Sequence, residues 1–192
     1  MKKNAALFLV MALSACGGGQ KHADMPIPGL IAEKRGEIDG PGGCGVKNAL
    51  LVTEAAGVTL TEPALLTQAA AHTLNAWLAM RAIPEIGKRG GGLSAVRVAS
   101  HYSCRTRNSQ KGARLSEHAA GRAIDISAFI LADGSQITIE EGWRSADGPL
   151  LKRLHASACG PFGTVLGPNS DAHHHDHFHF DVADYRSGAY CR

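Results

Sequence analysis

The chain has 192 residues, 44% hydrophobic and 19% charged, an ordinary globular composition whose length favours one folded domain. Aromatic residues make up only 5%, and no basic stripe is interleaved with aromatics, so nothing asks for nucleic acid. The formal net charge of +3 carries little functional weight: removing residues 1–15 takes away two lysines and no acid, leaving +1.

The N-terminus is the one biased segment. Lys2 and Lys3 precede an apolar run from Ala5 to Leu13, too short to span a bilayer as a helix but suited to a secretory signal. It ends in Leu13-Ser14-Ala15-Cys16, which resembles the bacterial lipobox, where cleavage before the cysteine is followed by lipidation of its thiol. That resemblance implies a signal peptide over residues 1–15 and a lipid anchor at Cys16; the alternative is a soluble secreted protein cut nearby. Residues 16–43 are rich in Gly, Pro and charge without sustained periodicity, and read as a tether, so the folded domain is expected over 44–192.

Within that domain, Thr61 reads as an N-cap with Pro63 in the first helical turn. Leu65, Leu66, Ala69, Ala70, Leu74, Trp77 and Leu78 then follow at helical spacing. After Gly90-Gly91-Gly92, the alternation of residues 93–103 through Val96 and Val98 predicts a strand. Further strands are expected at 123–129, 136–139, 163–166 and 177–182, with Asp133-Gly134 as a hairpin turn and a short helix over 149–158. Few long helices and several short strands predict an α+β domain with a small antiparallel sheet flanked by helices.

Beside Cys16 there are four cysteines, Cys44, Cys104, Cys159 and Cys191, and an even set in an exported chain reads as disulfides. Three connectivities are open. Cys44 with Cys104 and Cys159 with Cys191 is the expected pairing, since each bridge would tie a terminal segment to the body, contributing ~2 to 4 kcal/mol. A cysteine zinc site is the competing idea, but no C-x-x-C pair is present.

Two histidine-rich stretches carry the chemistry: Ser116-Glu117-His118-Ala119-Ala120-Gly121-Arg122-Ala123-Ile124-Asp125, and His175-Asp176-His177-Phe178-His179-Phe180-Asp181. They supply histidines and a carboxylate for an ion, plus a histidine left over, the inventory of a catalytic site with one open position. Asp125 lies between Ile124 and Ile126, so on a strand its carboxylate faces away from both and needs a partner. His177 and His179 are two apart and share a face, while Phe178 and Phe180 face the core. Mixed nitrogen and oxygen donors suit zinc, with manganese or cobalt as substitutes, better than magnesium or calcium.

Ser116-x-His118-x-x-Gly121-x-Ala123-x-Asp125 with His177-x-His179 resembles the paired signature of the zinc peptidases grouped with lysostaphin, D-alanyl-D-alanine carboxypeptidase and hedgehog. Closer still, Tyr102-Ser103-Cys104-Arg105, residues 115–118 and 123–126, Phe162-Gly163-Thr164-Val165-Leu166-Gly167-Pro168 and Asp176-His177-Phe178-His179 resemble the bacterial extensin-like C-terminal domain family, over roughly Cys44 to Cys191. The resemblance implies a hedgehog-like fold, zinc held by His118, Asp125 and His179, and His177 as general base. It also implies an arginine near the substrate carbonyl or carboxylate. Arg105 is the best match for that role, and Arg107 is close enough to be confused with it.

Ser116 is expected to orient its loop through a backbone hydrogen bond, and His175 to support the ligands, ahead of His173 and His174. His72, on the expected helix, reads as a structural or surface residue, and His101 and His155 have no constellation around them. Together these readings point to an envelope lipoprotein facing the periplasm, a monomer with peptidoglycan as its partner, acting as a zinc peptidase on peptide stems or cross-links. The alternative is a zinc-containing binding or structural module that does not hydrolyse.

Overall fold

A computed structural model describes residues 27–192; the expected signal peptide, Cys16 and its anchor lie outside the described residues. The strands are β1 (Ile31–Asp39), β2 (Gly45–Ala55), β3 (Val58–Thr67), β4 (Leu93–Ser100), β5 (Ala123–Leu131), β6 (Gln136–Thr138), β7 (Thr164–Leu166), β8 (Phe178–Asp181) and β9 (Tyr190–Cys191). They form one sheet in the order β1-β2-β3-β4-β5-β8-β7-β9, with β6 also paired to β5. The helices are α1 (Gln68–Trp77), α2 (Ile83–Ile86), α3 (Ile139–Gly142) and α4 (Gly148–Ala158); a π-helical turn over Leu78–Ala82 joins the first two.

The architecture is mixed α and β, but the small antiparallel sheet expected from the short strands is a nine-stranded mixed one: β3 runs parallel to β4, and β9 parallel to β7. The stretch expected as a tether over 16–43 contains a strand among its described residues. Residues 31–39 form β1, whose sequence Ile-Ala-Glu-Lys-Arg-Gly-Glu-Ile-Asp is almost wholly exposed, so no alternating apolar pattern marks it. In β2 the buried positions Val46, Ala49, Val52 and Ala55 fall three apart, because bulges interrupt its pairing with both neighbours.

The helix expected from Thr61 begins only at Gln68. Thr61 belongs to β3, where Val58, Leu60, Ala64 and Leu66 are buried, and its Oγ1 accepts the amide of Val98 at 3.0 Å. The cap is Thr67, whose hydroxyl accepts from the Ala70 amide at 3.3 Å. A strand running directly into a helix placed apolar residues of both periods side by side.

Behind the sheet, α1 and α4 cover the core. Trp77 packs edge-on to Phe180 with ring centroids 5.1 Å apart, Phe162 stacks on Phe180 at 4.9 Å, and the Trp77 indole donates to Ser157 Oγ on α4 at 3.0 Å. Two disulfides, Cys44–Cys104 and Cys159–Cys191, pin the segments leading to and from this body.

Candidate metal centre

β5 and β8 are antiparallel neighbours in a register that sets Asp125 opposite His179, Ile124 opposite Phe180 and Ile126 opposite Phe178. The apolar pairs enter the core, so strand parity turns Asp125 and His179 to the other face together. His118 arrives from a single 3-10 turn, Glu117–Ala120, capped by Ser116, whose hydroxyl accepts the His118 amide at 3.4 Å. The turn ends at Gly121 in the left-handed conformation (φ +63), where a Cβ would meet Val46 Cγ1 and Cγ2 at 2.7 Å. Glycine there lets the chain reverse tightly into β5.

Three acceptor atoms meet as a result. His118 Nε2 lies 3.1 Å from Asp125 Oδ1 and 3.1 Å from His179 Nδ1, and the last two are 2.9 Å apart. All three residues are buried, and among the described residues they form the one group of His, Cys, Asp and Glu able to share an ion. A tetrahedral ion with bonds of about 2.0 Å holds its ligands about 3.3 Å apart, close to this spacing.

The outer nitrogens are tied as metal-binding imidazoles usually are. His118 Nδ1 donates to the His101 carbonyl at 2.7 Å, and His179 Nε2 to Asp181 Oδ2 at 3.1 Å. Burial pushes the Asp125 carboxyl up, but the hydrogen bonds and charges of His118 and His179 outweigh it and hold the group well below the usual carboxylate range. Burial opposes charge on His179 as well; its hydrogen bonds to Asp125 and Asp181, with the charges of both carboxylates, overcome it and raise the imidazole to about 9. The protein by itself holds these acceptors together with a proton on His179, and an ion binding there displaces that proton.

His177 stands just before β8, partly exposed, with Nε2 3.7 Å from Asp125 Oδ2 and Nδ1 donating to Asp176 Oδ1 at 2.8 Å. Arg105 reaches the same oxygen, Nη2 to Oδ2 3.9 Å, while the Ser116 amide donates to the Arg105 carbonyl at 3.0 Å. Arg107, similar in sequence position, instead pairs with Glu117 at 3.9 Å, and Glu117 also holds Arg122 at 2.6 Å. The two arginines thus differ in what they face.

His175, expected to support the ligands, does not. It is exposed, with Nδ1 donating to the Ala172 carbonyl at 2.9 Å. His174 stands in its place: it is buried, its ring lies 5.3 Å from that of His177 and 5.8 Å from that of His179, and Nδ1 donates to Asp171 at 2.8 Å. Burial lowers its pKa against the pull of Asp171. Asp181 and the His101 carbonyl had also gone unassigned. Asp181 was findable, since a carboxylate two residues beyond His179 on one strand shares its face; a backbone carbonyl leaves no sequence signal.

A cleft lined by His118 and His179 also has Arg105, Arg107, Asn108, Tyr185 and Tyr190 in its lining. The family described as extensin-like protein C-terminus matches residues 15–192, a longer stretch than the motifs alone cover. The chain belongs to the extensin-like C-terminal family. No curated protein and no solved structure matches it. In this extensin-like chain, β1 lies within the matched region, as do all the residues of the candidate metal centre.

Proposed function

We propose that this chain is an envelope lipoprotein, anchored at Cys16 and facing the periplasm, that hydrolyses peptide stems or cross-links of peptidoglycan with zinc. One observation carries the reading: three buried acceptors converge where they could hold an ion, while the Nε2 of a further histidine, His177, stands 3.7 Å from the carboxylate among them. Two imidazole nitrogens and one carboxylate oxygen are the donor set of zinc sites that leave a position for substrate. The resemblance of the two histidine motifs to the signature of the zinc peptidases grouped with lysostaphin, D-alanyl-D-alanine carboxypeptidase and hedgehog supports the same assignment and a fold of that type. The secretory leader and lipobox resemblance support the address.

His118, Asp125 and His179 would hold the zinc, which supplies Lewis acidity for acidifying water and polarising a carbonyl. The chain's own groups do the rest. His177 accepts the proton of the attacking water at Nε2 and returns it to the leaving amine, while Asp176 fixes the tautomer by taking the Nδ1 proton in a hydrogen bond. Arg105 lies where its guanidinium can hold a substrate carboxylate or the developing oxyanion.

The test pairs metal analysis with muropeptide release from purified sacculi. Wild type should carry about one zinc per chain and release fragments. His177→Ala should keep the zinc and lose release. A stable, metal-free native protein would overturn the zinc assignment; a zinc-loaded wild type inert on every sacculus would leave a non-catalytic binding module.

A further inference from the structure

Two of residues 182–192, Tyr185 and Tyr190, line the cleft. After Asp181 the chain leaves β8, turns near Arg186 and Ser187, and returns beside β7, with Tyr190 opposite Thr164 and Cys191 opposite Val165. Tyr190 donates its amide to the Gly163 carbonyl at 2.7 Å and Arg192 to that of Val165 at 2.9 Å. The Cys159–Cys191 bridge clamps the end, and the Tyr185 hydroxyl lies 3.2 Å from Thr164 Oγ1. Gly163 makes the path possible: a Cβ there would fall 1.6 Å from the Ala183 carbonyl oxygen.

This arm carries aromatic surface to a polar site. Tyr190 is 52% exposed, with the Arg192 guanidinium 5.6 Å from its ring centroid, and both Tyr185 and Tyr190 line the cleft that holds His179 and Asp181. Arg105, in the same lining, offers guanidinium charge. An exposed ring in the wall of a concave site gains most when a ligand covers it, and a tyrosine orders little on doing so.

We propose that residues 182–192 are a substrate-recognition arm, Tyr185 and Tyr190 packing on the uncharged part of a peptide whose carboxylate lies toward Arg105. The proposal rests on the metallopeptidase reading and names the substrate features it implies, a peptide with an uncharged stretch and a free carboxylate. Within the arm, Ala183 is the residue tied to the metal centre, its amide holding Asp181 at 2.9 Å. The two tyrosines bond elsewhere, Tyr185 to Thr164 and Tyr190 to Gly163, so their effect falls on substrate affinity and not on the metal.

The experiment uses the full zinc-loaded chain and purified stem-peptide muropeptides. Tyr190→Ala should raise KM about tenfold with kcat nearly unchanged, as expected for loss of an aromatic anchor. Tyr190→Phe should restore KM, and Cys159→Ala with Cys191→Ala should raise it, both with zinc affinity as in wild type. Unchanged KM in Tyr190→Ala and in the cysteine pair, with wild type active, overturns the arm and leaves the metallopeptidase reading standing. Should wild type prove inert, calorimetric binding of the same muropeptides decides: binding weakened about tenfold by Tyr190→Ala supports the arm, while equal binding, or none by wild type, overturns it.

Discussion

His179 Nε2 lies 3.1 Å from Asp181 Oδ2, on the side of the ring away from Asp125, so one imidazole is held between two buried carboxylates. Asp181 is itself fixed, since its other oxygen accepts the Ala183 amide at 2.9 Å. Asp181→Asn should keep the shape but weaken the grip on the ring, lowering metal affinity about 10- to 100-fold. Competition against a chelator of known affinity measures it, and unchanged affinity would remove Asp181 from the centre.

The same pairings set a pH dependence for the metal-free protein. The raised pKa of His179, from 6.5 to about 9, contributes stability fully present below 6.5 and lost as pH rises through about 9. The depressed pKa of Asp125 contributes stability present above its ordinary 3.8 and lost as pH falls. Chelated protein should therefore be most stable between these limits by thermal melting, declining on both sides. Metal affinity should rise with pH toward about 9 as the His179 proton becomes easier to displace.

Gly121→Ala combines a backbone penalty at φ +63 with a clash against Val46. A loss of about 1 to 3 kcal/mol is expected in denaturant unfolding. Adding Val46→Ala should restore the steric part and leave the backbone part, so the double variant falls between the single Val46→Ala change and the sum of both.

Cys44–Cys104 fastens the loop that carries Arg105, with Cys104 next to it in the chain. Replacing the pair by alanine should cost about 2 to 4 kcal/mol in unfolding free energy. Zinc stoichiometry should survive, because His118, Asp125 and His179 stand on the 3-10 turn, β5 and β8 outside that loop. Loss of zinc in a folded double variant would show that the loop supports the ligands.

Much of the centre could be read from the chain because strand parity is a local property. Asp125 between two isoleucines and His179 between two phenylalanines each declare a polar face, and the register of β5 with β8 superposes those faces. The sheet around them was less legible. β1 buries almost nothing, β2 hides its alternation behind bulges, and β3 runs into α1 at Thr67, so the apolar residues of two periods merge. His174 and His175 show the same limit on a finer scale, since a 3-10 turn over Ala172–His174, not strand parity, decides which imidazole turns inward.

The sheet order places β5 directly against β8, and this is where the earlier and later parts of the chain are joined. Residues 31–131 supply every strand to one side of that junction, while β8, β7 and β9 lie on the other. An ion gripped by Asp125 and His179 therefore acts as a rivet across the seam. Cooperativity should depend on it: the loaded protein unfolds as one unit, whereas after chelation amide protons of β7, β8 and β9 should exchange ahead of those in β2 to β5.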